Sequence, residues 1–273
     1  MIVYFGTYTW GESESKGIYS ADLDTENGTL SNLRVVAEAG NPGFLALHPN
    51  RQWLLAASEL YPEEANRNAV ASFTIDPATG NLSAIDKKRV GGKGACHISI
   101  DATGKCALTA HYGSGSVALH QIDEQGGLSE PFVIRHEGSS VNPKRQQEPH
   151  AHSIKPGPDN RFAYAADLGC DKVFIYRLDP EAGSLTPADP AFAALEPGSG
   201  PRHFAFHPTL PRVYVLGEIL RTVTVFERNP DTGGLAPIQN LSTLPDDAEA
   251  SGSTAEILVS PDGKFVYSSN RGH

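Results

Sequence analysis

The chain has 273 residues, 39% apolar and 20% charged, with 27 Gly, 20 Pro and a formal net charge of −10. This composition excludes a disordered chain or a helix bundle in favour of a turn-rich globular β protein. The acidic balance argues against a nucleic-acid partner, and no apolar run approaches the roughly 18 residues of a membrane span. The three cysteines, Cys96, Cys106 and Cys170, have neither disulfide-framework nor metal-ligand spacing. A reduced, cytoplasmic setting is expected.

In chain order, residues 1–9 read as an opening strand with no basic start, so no signal peptide is expected. Residues 1–40 hold the second, third and fourth strands of a unit that lacks its first. From residue 41 one plan repeats about every 53 residues. Its starts are Asn41-Pro42-Gly43-Phe44-Leu45, Gly94-Ala95-Cys96-His97-Ile98, Pro149-His150-Ala151-His152-Ser153, Gly200-Pro201-Arg202-His203-Phe204 and Ser253-Thr254-Ala255-Glu256-Ile257. Aligned directly, they form a column of Phe44, His97, His152, His203 and Glu256. In the unit spanning 201–241, strands are predicted at 202–206, 212–217, 222–227 and 235–241, from alternation, β-branched content and Gly/Pro/Asp turns. A third-to-fourth-strand phrase recurs as Ile75-Asp76-Pro77-Ala78-Thr79-Gly80-Asn81-Leu82 and Leu178-Asp179-Pro180-Glu181-Ala182-Gly183-Ser184-Leu185, with a turn Gly expected at positive φ.

Short strands repeated at this period are the signature of a β-propeller, in which equivalent residues of each blade surround one axis. The expected fold is all-β, a seven-bladed propeller forming a single domain over 1–273. Its parts are a partial blade at 1–40, blades at about 41–90, 94–138, 149–195 and 200–244, and a half blade at 253–273. Seven blades of this length need roughly 70 to 80 more residues, so the ring is expected to be open and truncated at its C-terminal end. A smaller closed ring would leave the edges of the first and last blades unpaired.

Several phrases, in order along the whole chain, resemble the lactonase family of seven-bladed propellers. They are Phe5-Gly6-Thr7-Tyr8-Thr9, Lys16-Gly17-Ile18-Tyr19, Pro149-His150-Ala151-His152-Ser153, Ala166-Asp167-Leu168-Gly169-Cys170-Asp171-Lys172-Val173, Gly200-Pro201-Arg202-His203-Phe204, Glu218-Ile219 and Ser269-Asn270-Arg271-Gly272-His273. The resemblance implies lactone chemistry without a cofactor. It also implies a site lined by a His, a Glu and Arg residues, matched here by His150 or His152, Glu218, Arg202 and Arg271.

Geometry leads to the same face. The start of each first strand and the end of each second strand share one mouth of the axis. The starts supply His97, His150, His152, Arg202, His203 and Glu256. The ends supply Glu59, His111, Asp167, Glu218, Asn270 and Arg271, and loops add Arg67, Lys144 and Arg145. Lactone cleavage needs a base to activate water, a cation for the oxyanion and an acid for the leaving alkoxide. His152 and Glu218 are the acid–base candidates, and Arg202 and Arg271 suit the oxyanion and an anionic substrate. His97, His150, His203, Glu59 and Asn270 complete the set as substrate-binding candidates. Spacing alone leaves the choice between His150 and His152 open.

Blander roles compete. His97 and His203 also suit hydrogen bonds between blades, Asp167 a turn anchor, and Arg67, Lys144 and Arg145 solvated loop charges. No metal-ligand motif is present. The expected function is intracellular hydrolysis of 6-phospho-D-glucono-1,5-lactone to 6-phosphogluconate by a monomer with a small anionic substrate and no nucleic-acid or membrane partner. A muconate-type lactonising enzyme and a non-catalytic propeller scaffold are the alternatives. A scaffold would instead show an exposed apolar rim.

Overall fold

The computed structural model describes residues 1–58, 68–246 and 251–272. Strands there form antiparallel sheets in which sequence neighbours are also spatial neighbours. The first sheet is β1 (Ile2–Gly6), β2 (Gly17–Leu23) and β3 (Leu30–Glu38). The second is β4 (Pro42–Leu47), β5 (Trp53–Ser58), β6 (Ala69–Ile75) and β7 (Leu82–Arg89). The third is β8 (Ala95–Ile100), β9 (Cys106–His111), β10 (Ser116–Gln121) and β11 (Phe132–Arg135). The fourth is β12 (Ala151–Pro156), β13 (Phe162–Asp167), β14 (Lys172–Asp179) and β15 (Ser184–Ala194). The fifth is β16 (Pro201–Phe206), β17 (Arg212–Gly217), β18 (Thr222–Arg228) and β19 (Leu235–Ser242), and the sixth is β20 (Ser253–Val259) with β21 (Val266–Arg271). The first and sixth sheets are separate in the hydrogen-bonded topology of the described residues. No helix among these residues is long and apolar enough to cross a membrane.

The core lies between sheets rather than within one. Leu108, Val117 and Leu119 of the third sheet meet Ile154, Ala165 and Tyr176 of the fourth. Tyr164 and Ile175 of the fourth meet Phe204, Val213 and Phe226 of the fifth. Similar clusters join the first to the second and the second to the third. The second strands of the third and fourth sheets therefore bury both faces: every residue of β9 and of β13 is buried. This is why Phe162-Ala163-Tyr164-Ala165-Ala166 carries no polar alternation.

Turns repeat as faithfully as strands. Asp76 accepts the N–H groups of Ala78 and Thr79, and Asp179 those of Glu181 and Ala182. Gly80, Gly183 and Gly233 take positive φ, which costs glycine nothing. The same turns knit neighbouring sheets: Tyr4 Oη donates to Gly80 O and Tyr164 Oη to Gly233 O, both at 2.9 Å. The inner strands surround an axis, since Phe44 of β4 touches the rings of both His97 on β8 (4.3 Å) and His203 on β16 (5.7 Å). This is a β-propeller, all-β as expected.

One detail of the repeat needs correction. Each inner strand carries a register shift near its start, between Ala95 and His97, Ala151 and Ser153, and Pro201 and Phe204. Matching those shifts aligns Phe44, His97, Ser153, His203 and Glu256 as one column. His152 belongs one place earlier, with Gly43, Cys96, Arg202 and Ala255. Direct alignment of the histidines slipped one residue at β12, where the shift inserts an extra residue.

Candidate active site at the axial mouth

The shifted register determines which side chains reach the mouth. A cavity of about 510 Å³ opens there, lined by Tyr8, Phe44, Cys96, Tyr112, Arg145, His152, Arg202, His203, Glu218, Glu256 and Arg271, with Gly43. All six sheets contribute to it, together with the loop between β11 and β12. Its volume falls within the usual range for a small-molecule site. A groove of about 570 Å³ on the first sheet is lined by Phe5, Tyr19, Leu30 and Leu33 among others, with no charged group. Acid–base chemistry belongs at the axis.

Glu218 is the hub. Its carboxylate, only 4% exposed, lies 2.9 Å from Arg145 Nη2 through Oε1. Through Oε2 it lies 2.9 Å from Arg202 Nε, 3.4 Å from Arg271 Nη2 and 3.7 Å from His152 Nε2. The Arg202 contact is close but misdirected, because its Nε–H does not aim at Oε2. Both buried atoms therefore keep unused hydrogen-bonding capacity. Three guanidiniums thus converge on one buried carboxylate. Arg202 also donates from Nη1 to Ala255 O, which ties it to the sixth sheet.

Local structure explains the placement of this pair. Gly200 takes φ +65, and Asp171 accepts the N–H groups of Gly198 and Gly200 at 2.6 and 2.7 Å. The fixed Gly200 carbonyl then receives the Glu218 N–H at 2.7 Å. Glu218 and Arg202 are set across the same end of the β16–β17 pair. On the neighbouring sheet, a Cβ at Gly169 would lie 1.9 Å from Glu148 O, so the chain leading into β12 packs directly on glycine backbone.

Burial, with the nearby charge of Arg202, holds the His152 imidazole well below its usual pKa and keeps it neutral at pH 7. Its Nδ1 lies 3.8 Å from the Cys96 thiol, and its ring meets Tyr112 edge-on at 5.3 Å. Deeper in the axis, His203 Nδ1 lies 3.0 Å from Glu256 Oε2. Burial lowers the His203 pKa despite that carboxylate. Burial opposes ionisation of Glu256 as well, but the His203 hydrogen bond and the neighbouring charges outweigh it and bring the pKa to about 2. The pair is a neutral imidazole donating to a carboxylate.

The cavity gathers Arg145, His152, Arg202, His203, Glu218, Glu256 and Arg271 from the residues placed at the mouth by sequence. Other members lie elsewhere. His97 is 1% exposed and does not line the cavity, its ring tilted at 35° against Phe44. His150 stacks flat on Tyr112 at 4.4 Å, its Nδ1 2.9 Å from Tyr112 O, so it supports the wall without lining it. The side chain of Asn270 is engaged with Thr243 through Oδ1 and Nδ2, away from the mouth. His111 is bound between Thr109 and Ser116, and Asp167 accepts the N–H groups of His150, Gly169 and Cys170. His97, His150 and Asn270 thus do not reach the cavity as expected of substrate-binding groups. Glu59 and Arg67 lie outside the described residues.

The same one-residue logic accounts for the second strands. Ser58, His111, Asp167, Gly217 and Asn270 are equivalent by register and face into the sheets. The next residue in the third, fifth and sixth sheets, Tyr112, Glu218 and Arg271, lines the mouth, whereas Leu168 of the fourth is buried away from it. Tyr112 was therefore legible from its place after His111. Cys96 was legible once aligned with His152 and Arg202. Arg145, placed from sequence among loop charges near the mouth, had no repeat signal, because its loop has no counterpart among the described residues.

Fold and site together define a β-propeller with a cationic, imidazole-bearing pocket at one mouth of its axis. The model of the family described as Lactonase, 7-bladed beta-propeller matches residues 2–273, and the chain belongs to that family. It is 38% identical to a 6-phosphogluconolactonase of Bacillus subtilis, an alignment covering 100% of this chain and 75% of that protein. Among solved structures it resembles the periplasmic gluconolactonase of Pseudomonas aeruginosa, with TM-score 0.91, 31% identity, and coverage of 99% of this chain and 75% of that one. A putative 6-phosphogluconolactonase of Bacteroides fragilis is similar at TM-score 0.89 and 31% identity, covering 99% and 74%.

Proposed function

We propose that the chain is a lactone hydrolase that opens 6-phospho-D-glucono-1,5-lactone to 6-phosphogluconate. The observation that carries this reading is the buried Glu218 carboxylate, ringed by Arg145, Arg202 and Arg271 with a neutral His152 Nε2 at 3.7 Å. Family membership and the names of the relatives support it.

In this mechanism His152 takes a proton from water as the oxygen adds to the lactone carbonyl carbon. The carbonyl electron pair moves onto oxygen, and the Arg202 guanidinium stabilises that oxyanion. The intermediate then collapses and the ring C–O bond breaks. The proton held by His152 passes to the leaving alkoxide. Glu218 supports this cycle twice: it holds Arg202 in place, and its charge offsets the imidazolium formed at His152. Arg271 receives the anionic handle of the substrate.

The span 1–273 works as one propeller domain with the six blade segments inferred from the repeat, since each sheet buries its faces on the next. We place it in the cytoplasm as a monomer; three cysteines, Cys96, Cys106 and Cys170, without disulfide-framework spacing support that setting. The test is a hydrolysis assay on 6-phosphogluconolactone with the protein and its His152→Ala variant. Loss of about 100-fold or more in kcat is expected of the variant. Equal rates would remove His152 from the mechanism.

A further inference from the structure

We infer that Arg145, carried by the loop between β11 and β12 and braced by Tyr112, reads the phosphate of a phosphorylated lactone and so determines substrate specificity. This rests on the lactonase reading above.

The loop is the irregular part of an otherwise regular array. The fourth-to-first-strand connections from Glu38 to Pro42, Arg89 to Ala95 and Ala194 to Pro201 are short and the one from Ser242 to Ser253 is longer, whereas this one, the longest, runs from Arg135 to Ala151. Long connections without secondary structure are uncommon in compact domains unless they serve a function. This one is held as firmly as a strand. Gln146 is fully buried and donates from Nε2 to Leu168 O at 2.8 Å. Its Oε1 accepts the Asn142 N–H at 3.0 Å, and its own N–H returns to Asn142 O at 3.0 Å. Asn142 Oδ1 accepts the N–H groups of Lys144 and Arg145 at 3.0 and 3.1 Å. Ser140 Oγ donates to the buried Asp171 at 2.5 Å. The backbone that presents Arg145 is therefore set before any substrate arrives.

The guanidinium is equally constrained. A single nitrogen, Nη2, donates to both Tyr112 Oη (3.0 Å) and Glu218 Oε1 (2.9 Å). Tyr112 in turn lies flat on His150. Among the described residues Nη1 and Nε of Arg145 donate to no partner, so their N–H groups stay available. Arg271 is the same kind of group. Its Nη2 donates to Thr254 O at 3.1 Å and faces Glu218, and the rest of its guanidinium has no partner among the described residues.

Depth separates these two from Arg202. Arg202 is 15% exposed, beside His152, whereas Arg145 and Arg271 are 42% and 51% exposed at the rim. The reacting carbonyl thus belongs below and an anionic group above. Two guanidiniums with several free N–H groups match the three oxygens of a phosphate better than the two of a carboxylate, and each new charge-assisted bond is among the stronger polar contacts.

The test compares wild type, Arg145→Gln, Arg145→Lys and Tyr112→Phe on 6-phosphogluconolactone and on unphosphorylated glucono-1,5-lactone. Thermal melting checks that each variant folds. Calorimetric titration with inorganic phosphate is the second readout. For Arg145→Gln, KM for the phosphorylated lactone should rise about 10- to 100-fold, and the phosphorylated-to-unphosphorylated ratio of kcat/KM should fall at least about tenfold. Arg145→Lys, which keeps charge but loses the fork, should lie between. Tyr112→Phe should shift the ratio less and in the same direction. Phosphate affinity should fall in parallel. Equal loss on both substrates with unchanged phosphate binding would overturn the inference and leave Arg145 as a prop for Glu218. Arg145-dependent phosphate binding in a protein that hydrolyses neither lactone would sink the lactonase reading while keeping the subsite.

Discussion

β13 and β21 hold the same position, second strand of their sheets. Every residue of β13 is buried, whereas in β21 all but one are exposed. Their sequences do not announce the difference: Phe162-Ala163-Tyr164 and Phe265-Val266-Tyr267 have nearly the same apolar content. Tyr164 is 0% exposed and Tyr267 60%. A propeller strand acquires its environment from the sheets on either side, so burial is a property of neighbours more than of the strand. The cluster joining the fifth and sixth sheets is correspondingly small, built on Ala205, Leu216 and Ile257. The site spans this gradient, with His152, Arg202 and Glu218 on well-packed sheets and Arg271 on the exposed one.

The largest effect should come from the hub. Glu218→Gln keeps the shape but leaves three guanidiniums without their common counter-charge. A loss of about 100- to 1000-fold in kcat/KM is expected from steady-state kinetics on 6-phosphogluconolactone. Arg202 and Arg271 sharpen the comparison. Arg202→Gln should cost about 100-fold, mainly in kcat, while Arg271→Gln should cost about tenfold, mainly in KM. A larger loss at Arg271 would mean that the exposed sheet positions its residue as well as the packed ones do.

Stability can break the comparison directly. Phe204→Ala removes a fully buried ring from the interface between the fourth and fifth sheets. It should cost about 3–5 kcal/mol by urea denaturation. Tyr267→Ala, at 60% exposure, should change stability by no more than about 0.5 kcal/mol. Similar losses for the two would show that β21 is as well covered as β13.

The smallest effect concerns acid. His97, His111, His152 and His203 are all held neutral by burial, His111 with a pKa of about 3. Unfolding releases each to an ordinary imidazole near pH 6.5. Below that value the unfolded chain binds protons that the folded chain refuses. Stability is therefore full above about pH 6.5 and declines progressively as pH falls further. Calorimetry at pH 7.5 and 5.0 should show a lower Tm at pH 5.0. Activity should follow another course, because neutral His152 remains a base well below pH 6.5. A kcat/KM profile with an acid limb centred at pH 6.5 would contradict the burial of His152.

Much of this was open to reading from the chain alone. Strand alternation, Asp-Pro turns with their positive-φ glycines, and a unit repeating about every 53 residues specify an all-β propeller, because such local preferences act within each unit. They also brought His152, Arg202, Glu218 and Arg271 to one mouth. Tertiary structure alone decided the rest. A register shift near the start of each inner strand moved His152 out of the column of His97 and His203, while Asn270 is taken up by Thr243 and its neighbour Arg271 lines the mouth. Periodicity does not report a shift of one residue, yet that shift changes which residues are equivalent from blade to blade. Arg145 sits in a loop that repeats nowhere in the described chain. Its role depends on a buried Gln146 bonded to Leu168 and on contacts with Tyr112 and Glu218, partners distant in sequence that only folding brings together.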